Sequence, residues 1–130
     1  MNIKLDNYEI VGEISEKAAS LAKINYTGNI YAAPGVVKHI KRRHKNELSD
    51  NVLNNLIEVI KLILSSPEYI GTHPKKVGES VEFIKKIDGN LLVATELDVK
   101  EGYLYIASLY PITHSKIENR LHSGRIIKYD

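Results

Sequence analysis

The sequence predicts an α+β domain in which N-terminal helices pack on an antiparallel β-meander of about four strands, followed by a short C-terminal helix. Two observations carry this. Apolar residues between positions 34 and 65 recur at helical spacing, whereas residues 81–112 are rich in β-branched and aromatic residues interrupted by two tight turns. No helical pattern separates the later strands, which disfavours a parallel sheet built from βαβ crossovers.

Residues 1–29 are the least legible part. Tyr8 to Ile14 alternates weakly and Ser15 to Lys23 has the makings of one or two helical turns, so this stretch is placed as an N-terminal elaboration. Asn29 to Ala33 is a short extended candidate, and Pro34 suits the first turn of a helix, where its missing N–H would be unpaired anyway. Ala33, Val36, Val37, Ile40 and His44 then fall on one helical face. A second helix follows, with Ser49 as its N-cap, Leu53, Leu56, Ile57, Ile60, Ile63 and Leu64 at helical spacing, and Pro67 just beyond its end. Tyr69 to Thr72 reads as an edge strand. Val81 to Ile87, Leu91 to Leu97 and Tyr103 to Ile112 are the main strands, joined through Asp88-Gly89-Asn90 and Lys100-Glu101-Gly102. Ser115 and Glu118 make a capping box for the last helix, Ile117 and Leu121 share its apolar side, and Gly124 ends it.

The chain has 130 residues, the length of one domain, with 43% hydrophobic and 26% charged residues, so extensive disorder and fibrous repeats are excluded. It contains no cysteine, which removes disulfide frameworks, thiolate metal sites and thiol nucleophiles. No stretch approaches the ~20 apolar residues of a membrane helix. The first ten residues lack a signal-peptide apolar region, and the protein is expected in the cytoplasm with no membrane partner. The net charge of +2 hides an asymmetry. KHIKRRHK, from Lys38 to Lys45, holds five Lys/Arg and no acid, leaving 13 basic against 16 acidic residues elsewhere. Lys38, Lys41, Arg42 and Lys45 are therefore candidates for contacting a polyanion, phosphate backbones being the commonest.

The chemistry is sought in polar groups on faces that should be apolar. Strict alternation puts Ser108 and Tyr110 on one face with Leu104, Ile106 and Ile112, and it puts Lys85 in a row with Val81, Phe83 and Ile87. Glu82 falls on the opposite face. His44 lies in the apolar stripe of its helix, with His39 and Arg43 at the edge of that stripe. The bland alternatives are a hydrogen-bonded core histidine, a backbone-bonded Ser108, and a Lys85 whose stem covers apolar surface while its head reaches water. His73, His114 and His122 fall in loop or terminal positions, where surface placement is the default.

No phosphate loop, dinucleotide fingerprint, nucleophile elbow or calcium loop occurs, and the spacing of His39 and His44 is not that of a zinc helix. No metal and no cofactor is expected. The remaining His, Arg, Lys, Ser and Tyr set suits metal-free cleavage of RNA, in which the substrate's own 2′-OH attacks the phosphorus. The protein then needs a base, an acid and cations for the phosphorane charge. His44 or His39 would move the proton, and Arg43 and Lys85 would hold the phosphate. The competing reading is a non-catalytic module that binds nucleic acid or protein.

The run APGVVKHIKRRH, a long amphipathic helix, and then SSPEYIG, ESVEFIKKI, NLLVATELD, YLYIASLYPI and SKIENRLHSGRI form an ordered series. This series resembles the phage-type nuclease domains of the barnase/EndoU/colicin/RelE-like superfamily over about residues 30–127. The resemblance implies a small α+β ribonuclease or toxin of phages and mobile elements, with its active site between the helical unit and the sheet. RNA would be the substrate and an immunity or antitoxin protein a partner. By position it points to His39, Arg43 and His44 on the helix, Glu82 and Lys85 on the first main strand, and Ser108 and Tyr110 on the third.

Overall fold

The computed structural model of the protein describes residues 3–129, so residues 1, 2 and 130 of the chain lie outside the described residues. One seven-stranded sheet organises it, with order β1-β2-β6-β5-β4-β3-β7. The strands are β1 (Glu9–Ile14), β2 (Gly28–Ala32), β3 (Tyr69–Gly71), β4 (Ser80–Ile87), β5 (Gly89–Asp98), β6 (Tyr103–Pro111) and β7 (Ile126–Lys128). The helices are α1 (Glu16–Leu21), α2 (Val36–His44), α3 (Asp50–Leu53), α4 (Leu56–Ser65) and α5 (His114–Ser123), and a 3-10 turn covers Ile3–Asn7.

The α+β class and the β4-β5-β6 meander agree with the sequence reading, but the sheet has seven strands rather than about four. Residues 1–29, read as an elaboration, supply β1 of the same sheet, and the extended candidate at Asn29 to Ala33 forms most of β2, which pairs with it. β2 runs parallel to β6, at Ile30 beside Leu104 and Tyr31 beside Tyr105. β3 is not an edge strand, because the C-terminal β7 pairs outside it. The helices are also arranged differently. The expected second helix is split into α3 and α4 at Asn54 and Asn55, where the Asn55 side-chain amide donates to the Asn51 carbonyl at 2.8 Å and competes with helical bonding. The N-cap of α5 is Thr113 rather than Ser115, its hydroxyl accepting from the Lys116 N–H. Gly124 ends α5 in the left-handed conformation, φ 82°.

Both faces of the sheet are covered. On one, Val81, Phe83, Leu91, Val93, Leu104, Ile106 and Leu109 meet Leu56, Ile60 and Ile63 of α4, Val36 and Ile40 of α2, and the alanines of α1. On the other, Ile84, Leu92 and Ile112 pack under Ile117 of α5 and beside Ile126. Each fully buried aliphatic contributes about 2 kcal/mol relative to exposure, so α4, with five buried residues, anchors the first face.

A β-bulge decides which face carries the polar groups. Ala94 pairs with Ser108 but Thr95 pairs with Ile106, so Ala107 is the extra residue in β6. Leu104 and Ile106 therefore face α4 together with Leu109, while Ser108 and Tyr110 turn to the α5 side. The single face expected from strict alternation does not exist.

Candidate active site

The site begins with the way α2 meets β6. β2 pairs with β6 only near Leu104 and Tyr105, and α2 packs along the strand beyond that point. Val36 and Ile40 point into the first core, which turns His39, Arg43 and His44 toward the side of β6 that carries Ser108 and Tyr110. These five residues line a cleft of about 320 Å³. His44 lies against Tyr110 with ring centroids 5.6 Å apart.

His44 is oriented from behind. Its Nδ1 is 2.9 Å from Oε1 of Glu47, one turn on. A carboxylate only accepts, so Nδ1 carries the proton and the neutral ring keeps Nε2 as an acceptor. The basic residues Lys41, Arg42, Arg43 and His44 also sit in the last turn of α2, where the helix dipole favours positive charge. Lys38, Lys41, Arg42 and Lys45 are exposed and form the outer surface of this segment.

Across the sheet, Glu82, Ala94 and Ser108 stand in one row on β4, β5 and β6. Strand spacing is about 4.8 Å, so the methyl of Ala94 leaves a hollow between the carboxylate and the hydroxyl. Glu82 is buried, 3% exposed along its side chain, and Arg125 binds both its oxygens: Nε donates to Oε1 at 3.1 Å and Nη2 to Oε2 at 2.9 Å. Nη1 of Arg120 stands 3.7 Å from Oε1. Arg120 Nη1 and Ser108 Oγ are both buried and hydrogen-bond to no described residue. Burial, and then Glu82, raise the Tyr110 hydroxyl pKa against the pull of Arg120 and Arg125, so the phenol stays protonated and available as a donor.

Of the residues read from the sequence, the fold brings His39, Arg43, His44, Ser108 and Tyr110 to one cleft, with Glu82 beyond Ala94. Lys85 is not among them. It projects from the other face of β4, where its Nζ donates to the Ser66 carbonyl at 2.8 Å and caps the end of α4. Lys85 therefore stands apart from the cleft where it was expected to hold a phosphate: odd-numbered β4 positions face α4, and the ammonium snorkels to a helix C-terminus. His114 and His122 are exposed as expected, whereas His73 is half-buried and lines a second hollow with Ser80, Glu82, Ala94, Ser108 and Tyr110. Three participants escaped the sequence reading. Arg120 had a legible signal, since it sits three residues after Ile117 on the apolar stripe of α5. Arg125 and Glu47 had none beyond their charge.

The site thus sets a His/Arg helix against one strand of an α+β sheet, with hydroxyls facing it. A family model described as "phage-Barnase-EndoU-ColicinE5/D-RelE like nuclease" (the third of that description) matches residues 9–119. The chain belongs to this family. No curated protein and no solved structure matches it. The matched span includes β1 and β2 and stops just before Arg120. Among the described residues no group of three His, Asp or Glu is placed to hold a metal ion, and no helix is long and apolar enough to cross a membrane.

Proposed function

We propose that the protein is a metal-independent endoribonuclease of the phage or mobile-element toxin type, cleaving RNA through attack of the 2′-OH. The convergence of His39, Arg43, His44, Ser108 and Tyr110 on one cleft carries this reading. In the reaction the 2′-oxygen forms a bond to phosphorus while the bond to the 5′-oxygen breaks, giving a 2′,3′-cyclic phosphate and a 5′-OH. His44 is the better base, because Glu47 fixes its proton on Nδ1 and leaves Nε2 to take the 2′-OH proton. His39, half-buried in the same cleft, is the candidate to protonate the leaving oxygen or to position the RNA. Arg43, on the exposed side of the cleft, supplies cationic charge to the phosphorane, and Ser108 and Tyr110 offer hydroxyls. Glu82, both oxygens held by Arg125, anchors the arginines rather than moving a proton.

The test is single-turnover cleavage, in EDTA, of an RNA and its 2′-deoxy analogue by wild type, His39→Ala and His44→Ala. RNA should be cut to a cyclic phosphate, the deoxy strand should resist, and His44→Ala should lose at least about 100-fold. Cleavage of the deoxy strand, or activity only after divalent metal is added, refutes the mechanism. Full activity in both histidine variants clears them of any catalytic role, and RNA binding without cleavage by wild type points instead to a module that binds without cutting.

A further inference from the structure

We propose that the hollow over Ala94 receives the base of a nucleotide flanking the scissile phosphate, and that His73 reads that base with a fixed Nε2–H donor. This rests on the reading of the α2–β6 cleft as the phosphate site. The hollow measures about 260 Å³, below the size of typical drug-sized pockets and suited to one heterocycle. It shares Ser108 and Tyr110 with the catalytic cleft, so a strand whose phosphate sits in one places a neighbouring base beside the other.

The two compartments differ in charge. The cleft is lined by Arg43 and two histidines. The hollow is lined instead by the carboxylates of Glu82 and Glu96, each already holding a cation: Glu82 is bound by Arg125 with Arg120 3.7 Å away, and Lys76 contacts Glu96 at 3.1 Å. Tyr110, the remaining titratable group there besides His73, stays protonated. A small space with an alanine floor, lined by two carboxylates and one lysine, is better matched to a neutral base than to a second phosphate.

His73 is held at both backbone and ring. Its N–H donates to Ser80 Oγ at 3.1 Å, and Ser80 is buried and fixed by Thr72 Oγ1, 3.0 Å away. Its Nδ1 accepts from the Lys75 N–H at 3.1 Å. An Nδ1 that accepts has no proton in the neutral ring, so the proton lies on Nε2. The tautomer is thus opposite to that of His44. His73 offers a donor to a base carbonyl or ring nitrogen, while Glu96 offers an acceptor to an N–H on the same edge. The same hydrogen bond argues against His73 as the general acid, because an imidazolium would bring a second N–H against that of Lys75.

The experiment compares cleavage of short RNAs carrying a normal base or an abasic residue on either side of the scissile phosphate, by wild type, His73→Ala and His73→Gln. Wild type should favour the base-containing substrate at one of the two positions. His73→Ala should shrink that preference roughly fivefold, the effect of one net hydrogen bond, and His73→Gln, which keeps an N–H, should recover part of it. Equal cleavage of base and abasic substrates by wild type, or equal losses on both in His73→Ala, overturns the subsite while leaving the ribonuclease reading intact. If wild type cuts no RNA, the ribonuclease reading fails and histidine ¹⁵N spectra decide the subsite. A His73 response to a deoxyoligonucleotide but not to its abasic form supports it. No such difference, or a neutral ring protonated on Nδ1, overturns it.

Discussion

Arg125 grips Glu82 through two parallel hydrogen bonds, 3.1 and 2.9 Å long, that tie the segment after α5 to the middle of the sheet. Removing the guanidinium strands a buried carboxylate with Arg120 3.7 Å away as its remaining cation. Arg125→Ala should therefore lose about 3 kcal/mol in urea unfolding, and Glu82→Leu combined with Arg120→Leu and Arg125→Leu should recover much of it, because the desolvation penalties of all three charges disappear together. An Arg125→Ala protein within 1 kcal/mol of wild type, on this ~3 kcal/mol scale, would mean that Arg120 takes over the pair.

Gly71 makes that grip possible. A Cβ at this position would lie 2.1 Å from the Arg125 carbonyl oxygen and 2.9 Å from the Ile126 Cα, both backbone atoms that no side-chain rotation can clear. Gly71→Ala should push β7 off β3 and cost about 1–3 kcal/mol, the range for overpacking. It should also lower nuclease activity more than that loss explains, since Arg125 moves with the strand. Unchanged melting in Gly71→Ala would show that β7 docks elsewhere.

The helices and the meander were legible because their apolar residues obey a period over many turns. β1 and β7 were not. β1 carries Gly12 in mid-strand, where a Cβ would meet Leu64 of α4 at 3.0 Å, and β7 has only three residues. Neither is long or regular enough for alternation to show. Within the candidate site, His39 and Arg43 could be read because a helix keeps i, i+4 neighbours together whatever the fold, and His44 because it falls on the apolar stripe of the same helix. Ser108 and Tyr110 were picked for standing on an aliphatic face, and they reach the site for a different reason: the bulge at Ala107 moves them away from Leu104 and Ile106. Lys85 and Glu82 show the converse case, since strand parity separated them correctly but could not say which side the site would occupy.

Glu47 orients His44 from an exposed position. Glu47→Ala should slow single-turnover RNA cleavage by roughly tenfold, a part of the ~10²–10⁴-fold that a positioned general base contributes. RNA affinity should not fall, because an anion has been removed from a cationic surface. A variant that cleaves at the wild-type rate would free His44 from dependence on this carboxylate.

Arg42 is exposed and lines neither hollow. If it contacts one phosphate of a single strand, Arg42→Ala should reduce the salt dependence of RNA binding by ~0.7 in the log–log slope while leaving the melting temperature unchanged. Fluorescence anisotropy from low to high salt measures this. A slope equal to that of wild type removes Arg42 from the interface.

Tyr103 gives an alkaline test of the fold itself. Burial, followed by Tyr8 and Asp98, pushes its phenol up to about 12 from the ordinary value of 10.0, and Tyr110 is shifted in the same direction by burial and Glu82. Both groups hold their protons in the folded chain after the unfolded chain has released them. Their contribution to stability is therefore complete below pH 10 and is lost as pH rises from there toward 12. The slope approaches about 1.4 kcal/mol per pH unit for each proton the folded state retains. Urea midpoints measured between pH 9 and 11.5 should decline in wild type and decline less in Tyr103→Phe, which keeps the ring packed edge-on against Tyr8 and Tyr31 but has nothing to ionise. A flat profile in wild type, or an unchanged slope in Tyr103→Phe, would place the alkaline transition elsewhere in the chain.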